Sequence, residues 1–347
     1  MQKTVIFTVL AALLMMAAGN EPLFAQRGRA AQGGGLVVRL ASPLPQQSAW
    51  GHTLDRIAVE WNRITGGQVR LHVLHGGTEG GEGRMQASLS TNAIQAAVFT
   101  TFGLSGINPA IMTVGAPFLI RDEEELNVVM NEVQGDLEAQ FNSGNYFIVA
   151  WSRAGFVNFF TREPVFTPDD LRRQRIASNV EAAELNATFS AMGFNIVETD
   201  WTDVGPMMAT GQVSAMYQNP AGIAAFQLHS HLRHMLSLNI APVLGGIVIN
   251  QVTWQRIGAL NPRFQTELVR ATRRIAAELD QSMQITVNDA IAAMSRDGLA
   301  VNRPTPAQEQ LWFNEIERAM PILMANTYDQ VLYQRINDIL VRHRAGR

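Results

Sequence analysis

Short apolar runs alternate along the chain with stretches in which apolar residues recur every three or four positions. The run 36–41 is typical of a strand, and one apolar helical face follows it. That face consists of Leu54, Ile57, Ala58 and Trp61. The other strand candidates are 68–74, 94–99, 146–151, 175–177, 196–197, 213–217 and 246–250. Strands separated by helices predict βαβ units, an α/β fold and a functional site at the carboxyl ends of the strands.

Longer helices are predicted further along the chain. One apolar stripe consists of Leu126, Val129, Met130, Val133 and Leu137. Asn261 and Pro262 are typical of an N-cap and a first-turn proline, and the stripe behind them extends towards Arg296. A helix of that length is expected to pack across more than one lobe. Thr305 and Gln308 have the spacing of a capping box and predict another helix.

The composition predicts a globular protein of about two domains or lobes. The chain has 347 residues, of which 47% are hydrophobic and 16% charged. Lysine and arginine total 27 against 30 acidic residues, and Lys3 is the single lysine, so no basic face for nucleic acid is expected. The lack of cysteine excludes disulfides, thiolate catalysis, zinc–thiolate sites and a lipidated N-terminal cysteine.

The N-terminal pattern predicts export. Residues 1–25 have the features of a signal peptide, with Lys3, an apolar run over 4–18 and Ala25 before the expected cleavage point. That run is too short for a membrane span. Residues 26–35 are predicted to be a flexible leader. No later apolar run reaches the roughly 18 residues of a membrane helix, so a soluble periplasmic protein is expected.

Motifs that would indicate an enzyme are weak. His229, His231 and His234 could hold a metal, and an exported metal-dependent hydrolase is the alternative that they would favour. On a helix, only the last two would share a face, and no acidic residue lies near them in sequence. The glycine-rich segment 76–83 lacks the Lys-Ser/Thr pair of a phosphate-binding loop and is predicted to lead into a helix. We therefore assign no catalytic residue, metal or cofactor.

Aromatic residues lie at or near the ends of predicted strands and in the loops that follow. The set is Trp50, Phe102, Phe118, Trp151, Phe156, Phe159, Phe160, Trp201 and Tyr217. Packing in the core is the alternative role for each of them alone. Together, at the ends of parallel strands, they predict an apolar cleft.

A series of segments resembles one transport family. The segments are 66–71, 80–85, 116–119, 122–126, 163–176 and 211–215. Their residues, order and spacing resemble the solute-binding proteins (P-subunits) of TRAP transporters, from about residue 36 to beyond Phe313. The resemblance implies two α/β lobes of the type II-like periplasmic-binding fold, joined by hinge strands. It also implies a small-molecule ligand that is closed between the lobes and delivered to membrane permease subunits.

The sequence departs from that family at the residue that would bind a carboxylate. The family's clamping arginine falls on Ala177, and a second arginine falls at about Val157. A methyl group cannot replace the paired charge-assisted bonds of a guanidinium. The chain therefore resembles a divergent branch with apolar pockets, whose members work with tetratricopeptide-repeat partners. A carboxylate-binding alternative would use Arg153 or Arg175 instead.

The resulting prediction is a non-enzymatic, two-lobed binding protein for a largely apolar ligand. Lobe I is assigned to 36–150 plus about 241–280, and lobe II with the C-terminal helices to 151–240 plus about 281–347. The expected ligand-binding residues are Trp50, Phe102, Phe118, Trp151, Phe156, Ala177, Trp201, Tyr217 and Asn219. Asn219 would supply a polar contact and the aromatic residues would supply apolar area.

Overall fold

The structure, a computed structural model, describes residues 35–346. The predicted signal peptide and leader residues 26–34 lie outside the described residues. The strands are β1 Leu36–Ala41, β2 Val69–Leu74, β3 Ala96–Thr100, β4 Tyr146–Phe156, β5 Asn158–Thr161, β6 Arg175–Asn179, β7 Asn195–Thr199, β8 Ala215–Gln218, β9 His234–Leu236, β10 Pro242–Asn250 and β11 Ala300–Asn302. They form two mixed sheets with helices against them, so the predicted two-lobed α/β fold is confirmed.

The helices come between and after these strands. They are α1 Ala49–Ile64, α2 Glu82–Ser90, α3 Thr101–Ser105, α4 Glu123–Asn142, α5 Pro168–Arg172, α6 Ala183–Ala191, α7 Trp201–Ala209, α8 Pro220–Ala225, α9 Gln251–Leu260, α10 Pro262–Arg296, α11 Pro306–Asn326 and α12 Gln330–Ala345. Short 3-10 helices occupy Pro109–Thr113 and Leu228–Ser230. Within residues 35–346, no helix combines the length and apolarity that a bilayer span requires.

The first lobe is built on a five-stranded sheet of order β2-β1-β3-β10-β4. Strands β1, β2 and β3 run parallel, whereas β10 is antiparallel to both β3 and β4. Two apolar clusters cover the two faces of its centre, so β3 and β10 are rich in apolar residues. The carboxyl ends of β1 and β3 meet at one edge, and the loops after them face the second lobe.

The second lobe is built on a six-stranded sheet of order β11-β9-β5-β8-β6-β7. Strands β6, β7 and β8 are parallel, so their carboxyl ends at Asn179, Thr199 and Gln218 lie along one edge. One face packs against α7 and α8, and the other packs against α6 and α11. The edge of carboxyl ends faces the first lobe and forms one wall of the cleft between them.

Two extended segments join the lobes side by side. Strand β4 continues through Val157 into β5, and residues 237–241 lead from β9 back into β10. The N–H of Val157 donates to the carbonyl of Ala241 at 2.9 Å, and the N–H of Ile240 donates to the carbonyl of Val157 at 3.0 Å. These bonds make the crossing a short two-stranded ribbon, which is the hinge expected of a clamp that closes on its ligand.

Helix α10 connects the two lobes along their sides. Its 35 residues begin behind the Asn261 cap and the first-turn proline, as the sequence predicted. Phe264 and Leu268 pack with the first-lobe core, and Met294 packs with the second-lobe core. In its first half, Thr272 Oγ1 accepts the indole N–H of Trp61 on α1 at 2.8 Å inside the core.

We expect Thr272→Val to lower the free energy of unfolding by about 1–3 kcal/mol, because it leaves the buried Trp61 N–H without an acceptor. Thr266→Val in the same helix is the matched control, since Thr266 is exposed. Urea denaturation of both variants measures the difference. Equal stabilities for the two variants would contradict the assigned role of the hydrogen bond.

The C-terminal helices divide between the lobes. Helix α11 begins with the predicted capping box of Thr305 and Gln308, and its Trp312 indole donates to the Phe166 carbonyl of the second lobe at 3.0 Å. Helix α12 packs instead on α4 of the first lobe, where Ile336 and Leu340 are fully buried. The lobe boundaries inferred from the sequence stay a prediction. They assign 281–347 to lobe II and the C-terminal helices, whereas the apolar stripe of α12 packs on α4 of the first lobe.

Candidate ligand-binding site

Three neighbouring cavities lie between the lobes. The aromatic cavity, of about 150 Å³, runs from the turn after β3 past the hinge and under α6 and α11. The tryptophan cavity, of about 110 Å³, lies between the first sheet, α1 and the start of α8. The Ala177 cavity, of about 30 Å³, lies beside β6. Both lobes contribute to each lining, so a molecule held there contacts both lobes.

The lining of the aromatic cavity is mostly apolar. The second lobe supplies aliphatic and aromatic side chains, among them Leu171, Ile176, Phe159, Phe189, Phe194 and Trp312. The first lobe supplies Phe102, Met112 and Phe118. Phe118 has φ 60° and its N–H donates to the Ile240 carbonyl at 2.7 Å, so the loop carrying it is tied to the hinge. The position of Phe118 in the cavity wall therefore depends on the closure of the hinge.

The tryptophan cavity is named for three of its lining residues, Trp50, Trp151 and Trp201. Trp50 lies in the first turn of α1, where Ser48 caps the helix by accepting the N–H of Gly51 at 3.0 Å. The Trp151 indole N–H donates to Glu138 Oε1 at 3.0 Å, which fixes the ring against the floor of the cavity. Asn219 caps α8 by accepting the N–H of Gly222 at 2.7 Å.

Trp201 lines all three cavities. It is the first residue of α7, immediately after the carboxyl end of β7. Its ring stacks on Phe226 with centroids 5.6 Å apart and an interplanar angle of 17°. The turn from strand to helix therefore places one large aromatic side chain at the meeting point of the cavities, as expected for the carboxyl edge of a parallel sheet.

Phe102 and Tyr217 contact each other across the cleft. Their rings meet edge to face with centroids 6.3 Å apart, a favourable arrangement for aromatic pairs. Phe102 comes from α3 of the first lobe and Tyr217 from β8 of the second. The contact requires the lobes to be close together, so it contributes to the closed arrangement.

Polar groups at the edge of the aromatic cavity form one directed chain. Ser178 Oγ donates to Asn186 Oδ1 at 2.5 Å, and Asn186 Nδ2 donates to the Asn179 carbonyl at 2.9 Å. Because the serine proton is used, the Tyr217 hydroxyl donates to Ser178 Oγ at 3.1 Å. Burial raises the pKa of Tyr217 to about 12. The tyrosine oxygen thus stays neutral and offers the cavity an acceptor.

Glu82 is a buried carboxyl at the boundary of the lobes. Its Oε1 accepts the Thr100 N–H at 2.5 Å, and its Oε2 accepts the Thr100 hydroxyl at 2.8 Å and Asn179 Nδ2 of the second lobe at 3.5 Å. A Cβ on Gly103 would lie 2.8 Å from its carboxylate, so this position requires glycine. Burial raises the pKa of Glu82 to about 7, and the nearby charge of Glu181 adds to the shift.

Glu181 of the second lobe contacts the start of α2, the helix that begins with Glu82. Glu181 Oε1 accepts the Gly83 N–H at 2.7 Å, at the start of α2, where the N-cap residue Gly81 has no side chain to do so. Carboxylates are favoured at helix N-termini. The glycine-rich segment 76–83, predicted to lead into a helix, does so, and its helix start is capped from the opposite lobe.

The two arginines considered as carboxylate partners are engaged elsewhere. Arg153 donates to Asn127, and its backbone N–H donates to Asp280 Oδ1 at 2.9 Å. Arg175 donates from Nε to the Gln212 carbonyl at 2.9 Å and also contacts the carbonyl of Gly211. Neither residue lines any of the three cavities.

The structure brings most of the sequence-predicted site residues to the cavities. Those in the linings are Trp50, Phe102, Phe118, Trp151, Ala177, Trp201, Tyr217 and Asn219. Phe156 is 7% exposed in the first-lobe core and lies in none of the three linings. Asn219 uses its side-chain oxygen for the α8 cap rather than facing a ligand freely.

Several lining residues were not assigned from the sequence. Phe189 and Phe194 flank the end of α6, while Trp312 and Tyr328 come from the C-terminal region. Their apolar character was visible, but their approach to the cleft depends on how α6 and α11 cover the second sheet. Phe159 was noted among the aromatic residues at strand ends, without an assigned role.

The histidines do not converge. His229 Nε2 lies 3.5 Å from Asp297 Oδ2, and His234 Nδ1 lies 3.4 Å from Asn302 Oδ1. Across residues 35–346 no group of three or more His, Asp or Glu side chains is arranged to hold a metal ion. The geometry of this segment therefore gives the hydrolase alternative no metal-binding cluster to rest on.

Comparison with known proteins identifies the family. The sequence profile of DctP, the bacterial extracellular solute-binding proteins of family 7, matches residues 40–326. The chain belongs to this family. Its members are TRAP solute-binding proteins, which bind small molecules and work with membrane permease subunits. The function predicted from the sequence is confirmed at that level, and membership implies a periplasmic location.

Individual relatives agree with the assignment. The chain is 24% identical over 231 residues to the 2,3-diketo-L-gulonate-binding periplasmic protein YiaO of Escherichia coli (strain K12), covering 63% of this chain and 68% of that protein. A TRAP periplasmic solute-binding protein of Shewanella oneidensis with bound succinate has a TM-score of 0.81 at 13% identity, covering 88% of this chain and 99% of that chain.

A second solved structure has the same two-lobed arrangement. It is the TRAP periplasmic solute-binding protein of Xanthobacter autotrophicus PY2 with bound β-D-galacturonate, with a TM-score of 0.78 at 16% identity. The alignment covers 87% of this chain and 98% of that chain. At these identities the likeness establishes the fold of the family 7 protein described here.

Proposed function

We propose that this family 7 protein captures a largely apolar small molecule between its lobes and delivers it to membrane permease subunits. The supporting observation is the lining of the three cavities, to which residues 35–346 contribute no arginine, lysine or histidine. A carboxylate enclosed there would lose its hydration without gaining a charged partner. Glu315, which lines the aromatic cavity, is paired with Arg172.

The energetics suit an apolar ligand that both lobes cover. At about 25 cal/mol/Å², burial of roughly 200 Å² of apolar ligand surface contributes about 5 kcal/mol before the costs of association. Contacts confined to one lobe would provide only part of that area. The ligand therefore favours the closed state, in which Phe102 meets Tyr217 and the hinge ribbon brings the walls together.

Carboxylate binding is the second candidate, because solved relatives are described with succinate and β-D-galacturonate bound. In this chain it would need a cation at the cleft. Arg153 would have to break its side-chain hydrogen bond to Asn127, and Arg175 its bonds to the carbonyls of residues 211 and 212, before either could swing towards the ligand. The geometry gives this candidate no support. A tetratricopeptide-repeat partner, cleavage after Ala25 and the lack of enzymatic activity stay predictions.

Calorimetry tests the proposal directly. We expect no measurable heat of binding with succinate, malate or galacturonate, and binding of an apolar ligand found by native mass spectrometry of freshly purified protein. Arg175→Ala should leave that binding unchanged, because the Arg175 side chain is exposed and bonded to residues 211 and 212. Micromolar dicarboxylate binding that Arg175→Ala abolishes would establish the carboxylate candidate instead.

A further inference from the structure

The aromatic cavity and the tryptophan cavity have four lining residues in common, which we call the partition. Thr100, Trp201, Gln218 and Val243 line both spaces. Thr100 and Val243 come from the first sheet, whereas Trp201 and Gln218 come from the carboxyl edge of the second. The two cavities are therefore neighbours on either side of a few side chains, and the partition itself is formed by both lobes.

The partition carries hydrogen-bond donors that have no partner in the part of the chain that the structure describes. Gln218 Oε1 accepts the Asn219 N–H at 2.8 Å and Asn219 Nδ2 at 3.1 Å, which fixes the amide so that Nε2 is left over. Among residues 35–346, neither Gln218 Nε2 nor the Trp201 indole nitrogen makes a hydrogen bond. Both groups are donors only. A ligand atom beside them should therefore be an acceptor oxygen without a charge.

The space on either side of these donors is apolar and limited. Ligand pockets usually occupy roughly 300–1,000 Å³, whereas these cavities measure about 150 Å³ and about 110 Å³. Each alone suits a short alkyl chain or a ring, while a molecule that enters both has about 260 Å³, close to the lower end of that range.

We propose that the ligand is one elongated molecule that crosses the partition, with an uncharged acceptor oxygen near its middle and an apolar arm in each cavity. This rests on the proposed apolar function and adds the shape and polarity of the substrate class: a ketone, ester, ether or internal alcohol with two arms. Trp201 and Gln218 select the position of the oxygen, and the depths of the two cavities limit the arms.

Two isomeric ketones test the position of the oxygen. Dibutyl ketone and methyl heptyl ketone have the same atoms and similar hydrophobicity, but only the first has a central carbonyl with an arm on each side. We expect calorimetry to show dibutyl ketone binding at least about tenfold more tightly to the unaltered protein. Gln218→Met should remove most of this preference while leaving the apolar walls in place.

Cavity-filling variants test whether both spaces are used. Gly115 lines the aromatic cavity, and a Cβ there would have its nearest contact at 3.5 Å, so Gly115→Leu can extend into the space. Ala154 lines the tryptophan cavity, and Ala154→Leu fills it. Each should weaken dibutyl ketone binding about tenfold or more. Gly135→Leu, on the exposed side of α4 with nothing near its Cβ, is the control and should bind normally.

The outcomes separate this proposal from the one on which it rests. Loss of binding in both filled variants, with preference for the central ketone, supports a bridging ligand. Loss in only one of them, or equal affinity for the two isomers, overturns the bridging ligand and leaves the apolar function standing. The isomer comparison uses the unaltered protein, so it decides the matter even if a filled variant fails to fold. No binding of either ketone overturns the bridging proposal, and the native mass spectrometry described above then decides the apolar function separately.

Discussion

Ala177→Arg is expected to lower the free energy of unfolding by about 3–5 kcal/mol and to abolish binding of an apolar ligand. Ala177 is 4% exposed and packs with Phe160, Val204 and Met216. Of the residues that the structure describes, none that lines the cavity beside it is an acid that could pair with a guanidinium. An arginine there is therefore a buried charge without a partner, inserted into space sized for a methyl group. Urea denaturation and calorimetry measure the two effects.

Ala325→Arg provides the matched control, because Ala325 is exposed in the last turn of α11, where a positive charge is favourable. Its stability and ligand binding should equal those of the unaltered protein. If Ala177→Arg were as stable as this control and gained succinate binding, the cleft would have kept the architecture of a carboxylate site. The apolar interpretation would then be wrong.

The second large effect is a dependence of stability on pH that originates at Glu82. Burial raises the pKa of this carboxyl from its ordinary 4.5 to about 7 in the folded protein. A shift of this size corresponds to about 3 kcal/mol, since each pKa unit is worth about 1.4 kcal/mol. We expect the free energy of unfolding to fall by an amount of that order between about pH 5 and pH 8.

The sign follows from which state holds the proton. Below about pH 4 the Glu82 carboxyl is protonated in both states and contributes no difference. Between the two pKa values the folded protein keeps the proton and the unfolded chain has lost it, so each rise in pH favours unfolding. Above the folded value the buried carboxylate is ionised in both states, and its full cost is present. Thr100, Gly103, Asn179 and Glu181 are the groups that face it.

Glu82→Gln isolates this contribution. The amide keeps an acceptor for the Thr100 N–H but cannot ionise, so the variant should lose most of the slope and be more stable than the unaltered protein at about pH 8. Glu79→Gln in the loop before α2 is the control, because Glu79 forms a partly exposed ion pair with Arg39 that is worth little. Urea denaturation across the pH range gives the slopes. A Glu82→Gln variant with an unchanged slope would assign the pH dependence to other groups.

Much of the fold could be predicted from apolar spacing and caps. The Asn261 cap and the stripe behind it predicted α10 to its last residue, and Thr305 with Gln308 predicted the start of α11. Strand β5 was missed because its four residues, Asn158–Thr161, continue an aromatic run without a turn signal before it. Strands β9 and β11 have three residues each, too few to show a period.

The site could be predicted where strand ends indicate it and not where packing decides it. Trp201 and Tyr217 follow from their positions at the carboxyl edge of a parallel sheet. Phe156 satisfies the same rule, but its side chain lies on the core side of β4. Glu82 was considered as part of a loop, since its burial depends on Thr100 and Gly103 coming within reach only after the chain has folded.

The place of β10 in the first sheet has a consequence for the order of folding. As a chain emerges with its N-terminus first, β3 and β4 are both complete well before Pro242–Asn250 appears. These strands do not pair with each other, because β10 is the strand that lies between them. Until it arrives, each strand has an edge of unpaired amides, which invites aggregation. The first lobe is therefore completed late, after most of the second lobe has been synthesised. A chaperone that delays collapse would protect the nascent chain most while residues 157–241 are being synthesised.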